Sequence, residues 1–177
     1  MRSLILAVVL LAVASTAHGQ FGMRPVNSAY KNEFGLGLSY GIKLNKDALF
    51  VGFAPDYVRV LSEKWLINVS VAYDEDTEIK DSGRAVTETW TPSMMVGYQA
   101  TSVLAMGLGV GHGIVENKDG AGWDSVKFGK DLSGALAFAV SLFSKGRHGL
   151  SLSLSLEYNF SENVSSISTD LGYGFGF

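Results

Sequence analysis

The amino-acid sequence predicts an all-β chain, an eight-stranded antiparallel up-and-down barrel that crosses a membrane. Three observations carry that prediction. Apolar residues recur with period two, the spacing of strands with two unlike faces, in eight segments separated by polar turns. The face opposite the apolar one is built from Gly, Ala and Ser with a scatter of Asn and Glu, and is nearly free of Lys. Hydrophobic residues make up 47% of the 177 residues, yet past residue 19 no apolar run reaches the ~20 residues that a membrane helix needs.

Residues 1–19 read as a secretory signal peptide. Met1, Arg2 and Ser3 form a short basic head, residues 4–13 are an unbroken apolar run, and Ala17-His18-Gly19 offers a small-x-small cleavage site before Gln20. With 0 Cys in the chain, a lipoprotein anchor and a disulfide framework are both excluded. Loss of Arg2 with the signal leaves 13 Lys+Arg against 17 Asp+Glu, a net charge of −4 that gives no reason to expect nucleic acid as a partner.

Residues 20–32 lack a clear period and read as a leader; the barrel is expected over 33–177. The first strand, 33–42, aligns Phe34, Leu36, Leu38, Tyr40 and Ile42 against Gly and Ser. The second, 48–61, is less clean, and Pro55, which has no N–H to give a ladder, predicts a bulge or register change. The third, 65–73, alternates strictly from Trp65 to Tyr73. Residues 74–86 are charged and read as a long loop before the fourth strand, 88–99, which carries Trp90, Pro92, Met94, Val96 and Tyr98. The fifth, 103–113, sets Leu104, Met106, Leu108 and Val110 against Ala and Gly. Residues 114–130 read as a second long loop, followed by strands over 131–143 and 149–160 and a last strand over 168–177. With those polar stretches as loops, no long protruding strands are expected.

The apolar face points to lipid rather than to a core. A soluble barrel of the lipocalin type hides its large residues and shows Lys, Glu and Thr; here the second face is too small and too poor in charge for a solvated surface. It suits the narrow interior of an eight-stranded barrel. Should the faces be inverted, the alternative is a soluble periplasmic binding protein. Aromatic residues stand where interface rings belong: Trp65 and Tyr98 near turns, Tyr40, Tyr73, Trp90 and Tyr158 near loops.

The chain ends on Leu171, Tyr173, Phe175 and Phe177, all on one strand face, with Gly and Asp170 between them. This ending resembles the C-terminal insertion signal of bacterial outer-membrane barrels, which the barrel assembly machinery reads. Together with the signal peptide, the strand count and the alternation of short turns with longer loops, it makes the whole mature chain similar to the OmpX-like, OmpW-like and opacity-protein-like group of small outer-membrane proteins. The resemblance implies a monomer in a Gram-negative outer membrane, in contact with lipid and lipopolysaccharide. It also implies a non-enzymatic role in envelope integrity or surface interaction through the outer loops. A narrow conduit for small or apolar solutes is the alternative.

No residue pattern points to catalysis, a cofactor or a metal. His18, His112 and His148 form no hydrolase spacing with Ser151 and Glu157. The acidic run 74–78 lacks the Gly and spacing of a calcium loop. Parity turns Asp56, Asn68, Glu157 and Asn159 inward, with Glu33, Lys43 and Asp131 towards the ends. A charge inside a barrel must be paired or wet, so these predict a lumen hydrogen-bond network in which Glu157 meets Lys43 or Arg59.

Overall fold

The computed structural model describes residues 25–26, 29–44, 48–80, 83–117 and 126–177, so the expected signal peptide lies outside it. Eight strands follow in chain order: β1 Asn32–Lys43, β2 Ala48–Val60, β3 Trp65–Lys80, β4 Gly83–Gln99, β5 Leu104–Asn117, β6 Val126–Lys145, β7 His148–Asn159 and β8 Val164–Gly176. Each pairs antiparallel with its sequence neighbours, and β8 pairs back onto β1 from Gly176 at Glu33 to Ser166 at Lys43, closing a barrel. Where the wall is closed, neighbouring strands satisfy one another's backbone without water, which only helices and closed barrels achieve in lipid.

The register fixes the shape. A line of paired residues from Glu33 runs through Val58, Asn68, Met95, Gly109, Ala135, Glu157 and Ser166 and returns to β1 at Lys43. From position 33 to position 43 the stagger is ten residues. With ~3.3 Å per residue and ~4.8 Å between strands, that stagger over eight strands sets a tilt of about 40° and a radius of about 8 Å. Such a tube has room for small side chains and little else.

The faces divide accordingly. Phe34, Leu38 and Leu108 are 58–68% exposed on the outer wall, whereas Ala105, Ala137 and Ala139 inside are 0% exposed. A face of large apolar side chains turned outwards would drive aggregation in water, and is stable where lipid covers it. The inverted, soluble reading therefore does not hold. The near mouth, where β1 begins and β8 ends, carries short turns. Ser62 Oγ accepts from the Lys64 and Trp65 N–H groups, and Thr101 Oγ1 accepts in the same way from Val103 and Leu104. Gly146, at φ 59, turns β6 into β7 in a left-handed conformation that glycine, lacking a Cβ, adopts at no steric cost.

Three expectations need correction. Residues 74–86 are not a long loop: β3 continues to Lys80 and β4 starts at Gly83, paired throughout from Asp74↔Thr89 to Lys80↔Gly83. Most of 114–130 is likewise strand, with β5 reaching Asn117 and β6 starting at Val126; residues 118–125 lie outside the described chain. Protruding strands are thus present. At that tilt the 16 and 17 residues of β3 and β4 rise ~40 Å, against an apolar band of ~25 Å. Finally, Pro55 shifts nothing. The β2–β3 register is the same at Phe53↔Tyr73 and at Asp56↔Ser70, with only Ala54 and Pro55 missing from the ladder. Pairing on both sides holds the parity, since a one-residue slip would turn Phe53 inward and Asp56 into lipid. Register shifts occur elsewhere, between Gly113 and Val115 and between Ser141 and Phe143. The second leaves Leu142 and Phe143 both exposed outside.

Candidate functional site

Two parts of the barrel can do chemical work, the lumen and the rims. In the lumen, alternation puts small residues against one another and leaves polar side chains nowhere else to turn. Asn68 Nδ2 donates to Asp56 Oδ2 at 2.9 Å, both side chains buried. One pair of residues further along, Ser70 Oγ and Ser93 Oγ stand 2.6 Å apart. On the other side of the tube Ser153 Oγ donates to Asp170 Oδ2 at 3.1 Å. Buried carboxylates require such donors, because an uncompensated charge in an apolar setting is very costly.

Asp56 and Asn68 meet. Glu157 lies in the row of Ser166 and Lys43, towards the far mouth. Arg59 is not in that row: it is exposed at the near mouth, opposite Asn32, and its guanidinium donates to Asn32 Oδ1 at 2.8 Å. Asn159 ends β7, and its Oδ1 holds the following turn by accepting from the Ser161 and Glu162 N–H groups. The Asp131 side chain lies outside the described chain. Glu33 is buried, as parity expects, and the sequence reading leaves out two further buried carboxylates: Asp74 falls in the expected loop and Asp170 among the spacers of the terminal strand. Parity alone places the last two inside, Asp74 continuing Asn68, Ser70 and Ala72, and Asp170 alternating with Leu171.

The aromatic residues form rings at both ends of the outer wall. At the near mouth Trp65 and Tyr98 are cross-strand partners with ring centroids 5.2 Å apart, and Lys64 Nζ stands 5.9 Å over Tyr98. Phe34 stacks on Phe177 at 5.2 Å. Leu171, Tyr173, Phe175 and Phe177 all face outwards, and Tyr173 Oη is bonded to His148 Nδ1. At the other end Tyr73 and Trp90 pair at 4.9 Å, and Phe53 packs on both. Tyr40 and Tyr158 stand on the outer wall towards that end, with the Tyr158 hydroxyl bonded to Asn163 Oδ1. His148 is outside at the near rim, Ser151 is buried inside and Glu157 lies towards the far mouth, so these three residues do not converge.

The near mouth holds one feature that no sequence period announced. Val26, from the leader, is 5% exposed and packs with Val58, Leu66 and Met95 inside the opening. Its N–H donates to Gln99 Oε1 at 3.1 Å, and Gln99 Nε2 donates to its carbonyl at 3.0 Å. Burying the valine contributes about 2 kcal/mol and the two hydrogen bonds about 1 kcal/mol each. Ordering each leader residue costs about 1–2 kcal/mol, so these contacts offset only a few of them. Val26 is docked in the near mouth.

A closed antiparallel barrel with an apolar outer wall, aromatic rings at both ends and a packed polar lumen is a transmembrane β-barrel. No protein-family model matches the sequence, and none of the curated proteins matches it. Solved structures do. Neisserial surface protein A is similar with a TM-score of 0.61 and 14% identity, over 85% of this chain and 98% of its own. The outer membrane protein OprG from Pseudomonas aeruginosa gives 0.58 and 12%, over 82% and 94%. The Yersinia pestis outer membrane protein Ail, in a phospholipid bilayer nanodisc, gives 0.54 and 16%, over 84% and 99%. At these identities the likeness is one of fold: this chain has the architecture of the small eight-stranded outer-membrane barrels.

Proposed function

We propose that this chain is an integral barrel of a bacterial outer membrane, non-enzymatic, acting at the cell surface through the part of its wall that overhangs the membrane. The uneven wall height carries the reading. β3, β4, β5 and β6 run for 14 to 20 residues, whereas β1, β2, β7 and β8 stop at 12 or 13. Beyond Ser133, whose partner Asn159 ends β7, residues 126–131 of β6 have no ladder on that side among the described residues. A strand edge in water offers its N–H and C=O groups to an added strand, which is a common mode of peptide recognition.

In this reading the near mouth faces the periplasm, the outer wall meets membrane lipid and lipopolysaccharide, and the assembly machinery reads Leu171, Tyr173, Phe175 and Phe177. Val58, Leu66 and Phe50 turn inward and are at most 2% exposed, which supports a lumen plugged by its own side chains. A plugged lumen favours an interaction role over the alternative of a solute conduit. The chain has no cysteine, so single thiols report topology directly. Ser82→Cys, between β3 and β4, is expected to react with a membrane-impermeant maleimide on intact cells, and Ser102→Cys, in a near-mouth turn, only after permeabilisation. The reverse pattern sinks the orientation. Steady single-channel steps in a planar bilayer would replace the interaction role with the conduit.

A further inference from the structure

We infer that the near mouth is a socket for an extended peptide, and that its resident occupant is the chain's own leader. The inference does not depend on the membrane or the surface role proposed above. A residue in an extended strand points its N–H and C=O to the same side, where a neighbouring strand would normally answer both. The Gln99 carboxamide answers both for Val26, at 3.1 and 3.0 Å, and so substitutes for one peptide unit of a partner strand. Main-chain recognition of this kind gives affinity without regard to sequence, and selectivity comes from the side-chain pocket. That pocket is apolar and fits a small branched side chain, with Val58, Leu66 and Met95 packed around Val26.

Tyr30 and Lys31, just before β1, are held as strand residues would be. Lys31 O accepts from the Val60 N–H at 2.9 Å, continuing the pairing past the start of β1. The Tyr30 ring lies over Gly176, where a Cβ would come within 2.7 Å of the ring carbons, so this close approach depends on glycine. One buried side chain and a handful of hydrogen bonds hold the segment, and an outside peptide of the same character competes for the same groups. The ligand class is an extended peptide with a valine-like residue, and the cis leader keeps the socket filled until one is present.

The test uses the full mature chain refolded in detergent micelles and a fluorescent peptide of residues 24–31. Val26→Asp should expel the leader, because an unpaired carboxylate has no place in that pocket. The V26D protein is expected to bind the peptide saturably and at least tenfold more tightly than the wild type, whose socket is filled. Adding Gln99→Ala to V26D should weaken binding at least tenfold. A folded V26D barrel that binds no peptide overturns the socket, as does binding indifferent to Gln99 or equal in the wild type. If V26D does not fold, Val26→Cys supplies a second reading. Its thiol should alkylate slowly, and at least tenfold faster with Gln99→Ala or excess peptide; unchanged rates under both conditions overturn the proposal.

Discussion

Gly52 has no room for a side chain. A Cβ there would collide with Asp74 Oδ1 and stand 2.5 Å from the Tyr73 carbonyl and 2.8 Å from Ser39 Oγ. The carbonyl belongs to the paired strand and cannot move aside. Gly37, on the same lumen face, is the natural contrast, since its added Cβ would meet only the Ala54 carbonyl at 3.8 Å. Gly52→Ala is therefore expected to cost about 1–3 kcal/mol by overpacking. Gly37→Ala should be neutral or slightly stabilising, because alanine loses less backbone freedom on folding than glycine. Urea midpoints in lipid vesicles compare the two, and equal shifts would refute the geometry. Before the fold is known these glycines look alike, each one spacer in an alternating strand. Which of them is indispensable depends on a carboxylate from a neighbouring strand, and the sequence pattern places Asp74 in no strand. Asp56 and Asn68 were legible as inward residues because both lie in segments whose apolar partners show the period. That they meet each other followed from the register, which the sequence leaves open.

At the scale of elements, legibility tracks contact with lipid. β1 and β7 were placed to within a residue at each end, because one face is uniformly apolar along their whole length. The outer parts of β3 and β4 are not legible, because their sequence carries no alternation of apolar and polar residues to mark a strand. What remained to read there was composition, and Asp, Glu, Lys, Ser and Gly suggest a loop. Thr77, Ile79, Val86, Thr87 and Thr89 are β-branched and fit a ladder, as the pairs Thr77↔Val86 and Ile79↔Arg84 show. Hydrogen exchange separates strand from loop directly. Amides in residues 74–78 and 86–89 are expected to exchange at least tenfold more slowly than those of the exposed near-mouth turn, residues 101–103. Equally fast exchange in all three stretches would restore the loop reading and remove the overhang. The leader escaped for a different reason. Its one decisive contact spans 73 positions and joins a side-chain amide to a backbone, a pairing that leaves no trace in local pattern.

For the whole molecule, the decisive question is which solvent the outer wall faces, and a single charge can answer it. Leu108 is 68% exposed, midway along the outer face of β5 between Leu104 and His112, with Val96 and Leu136 as its cross-strand neighbours. In a water-soluble barrel, arginine at such a position would be harmless and would improve solubility. In a bilayer the same change puts a guanidinium near the midplane, which costs about 2–4 kcal/mol and falls to about 0–1 kcal/mol near the interfaces. Val103→Arg is the matched control, exposed in a near-mouth turn and outside the apolar band. The expected result is a lower folded fraction and urea midpoint for Leu108→Arg in lipid vesicles, with Val103→Arg close to the parent chain. The sign of the effect carries the decision. A Leu108→Arg protein that folds as well as the parent and gains solubility without detergent would mean that the wall is not in lipid, whatever the strand count and register.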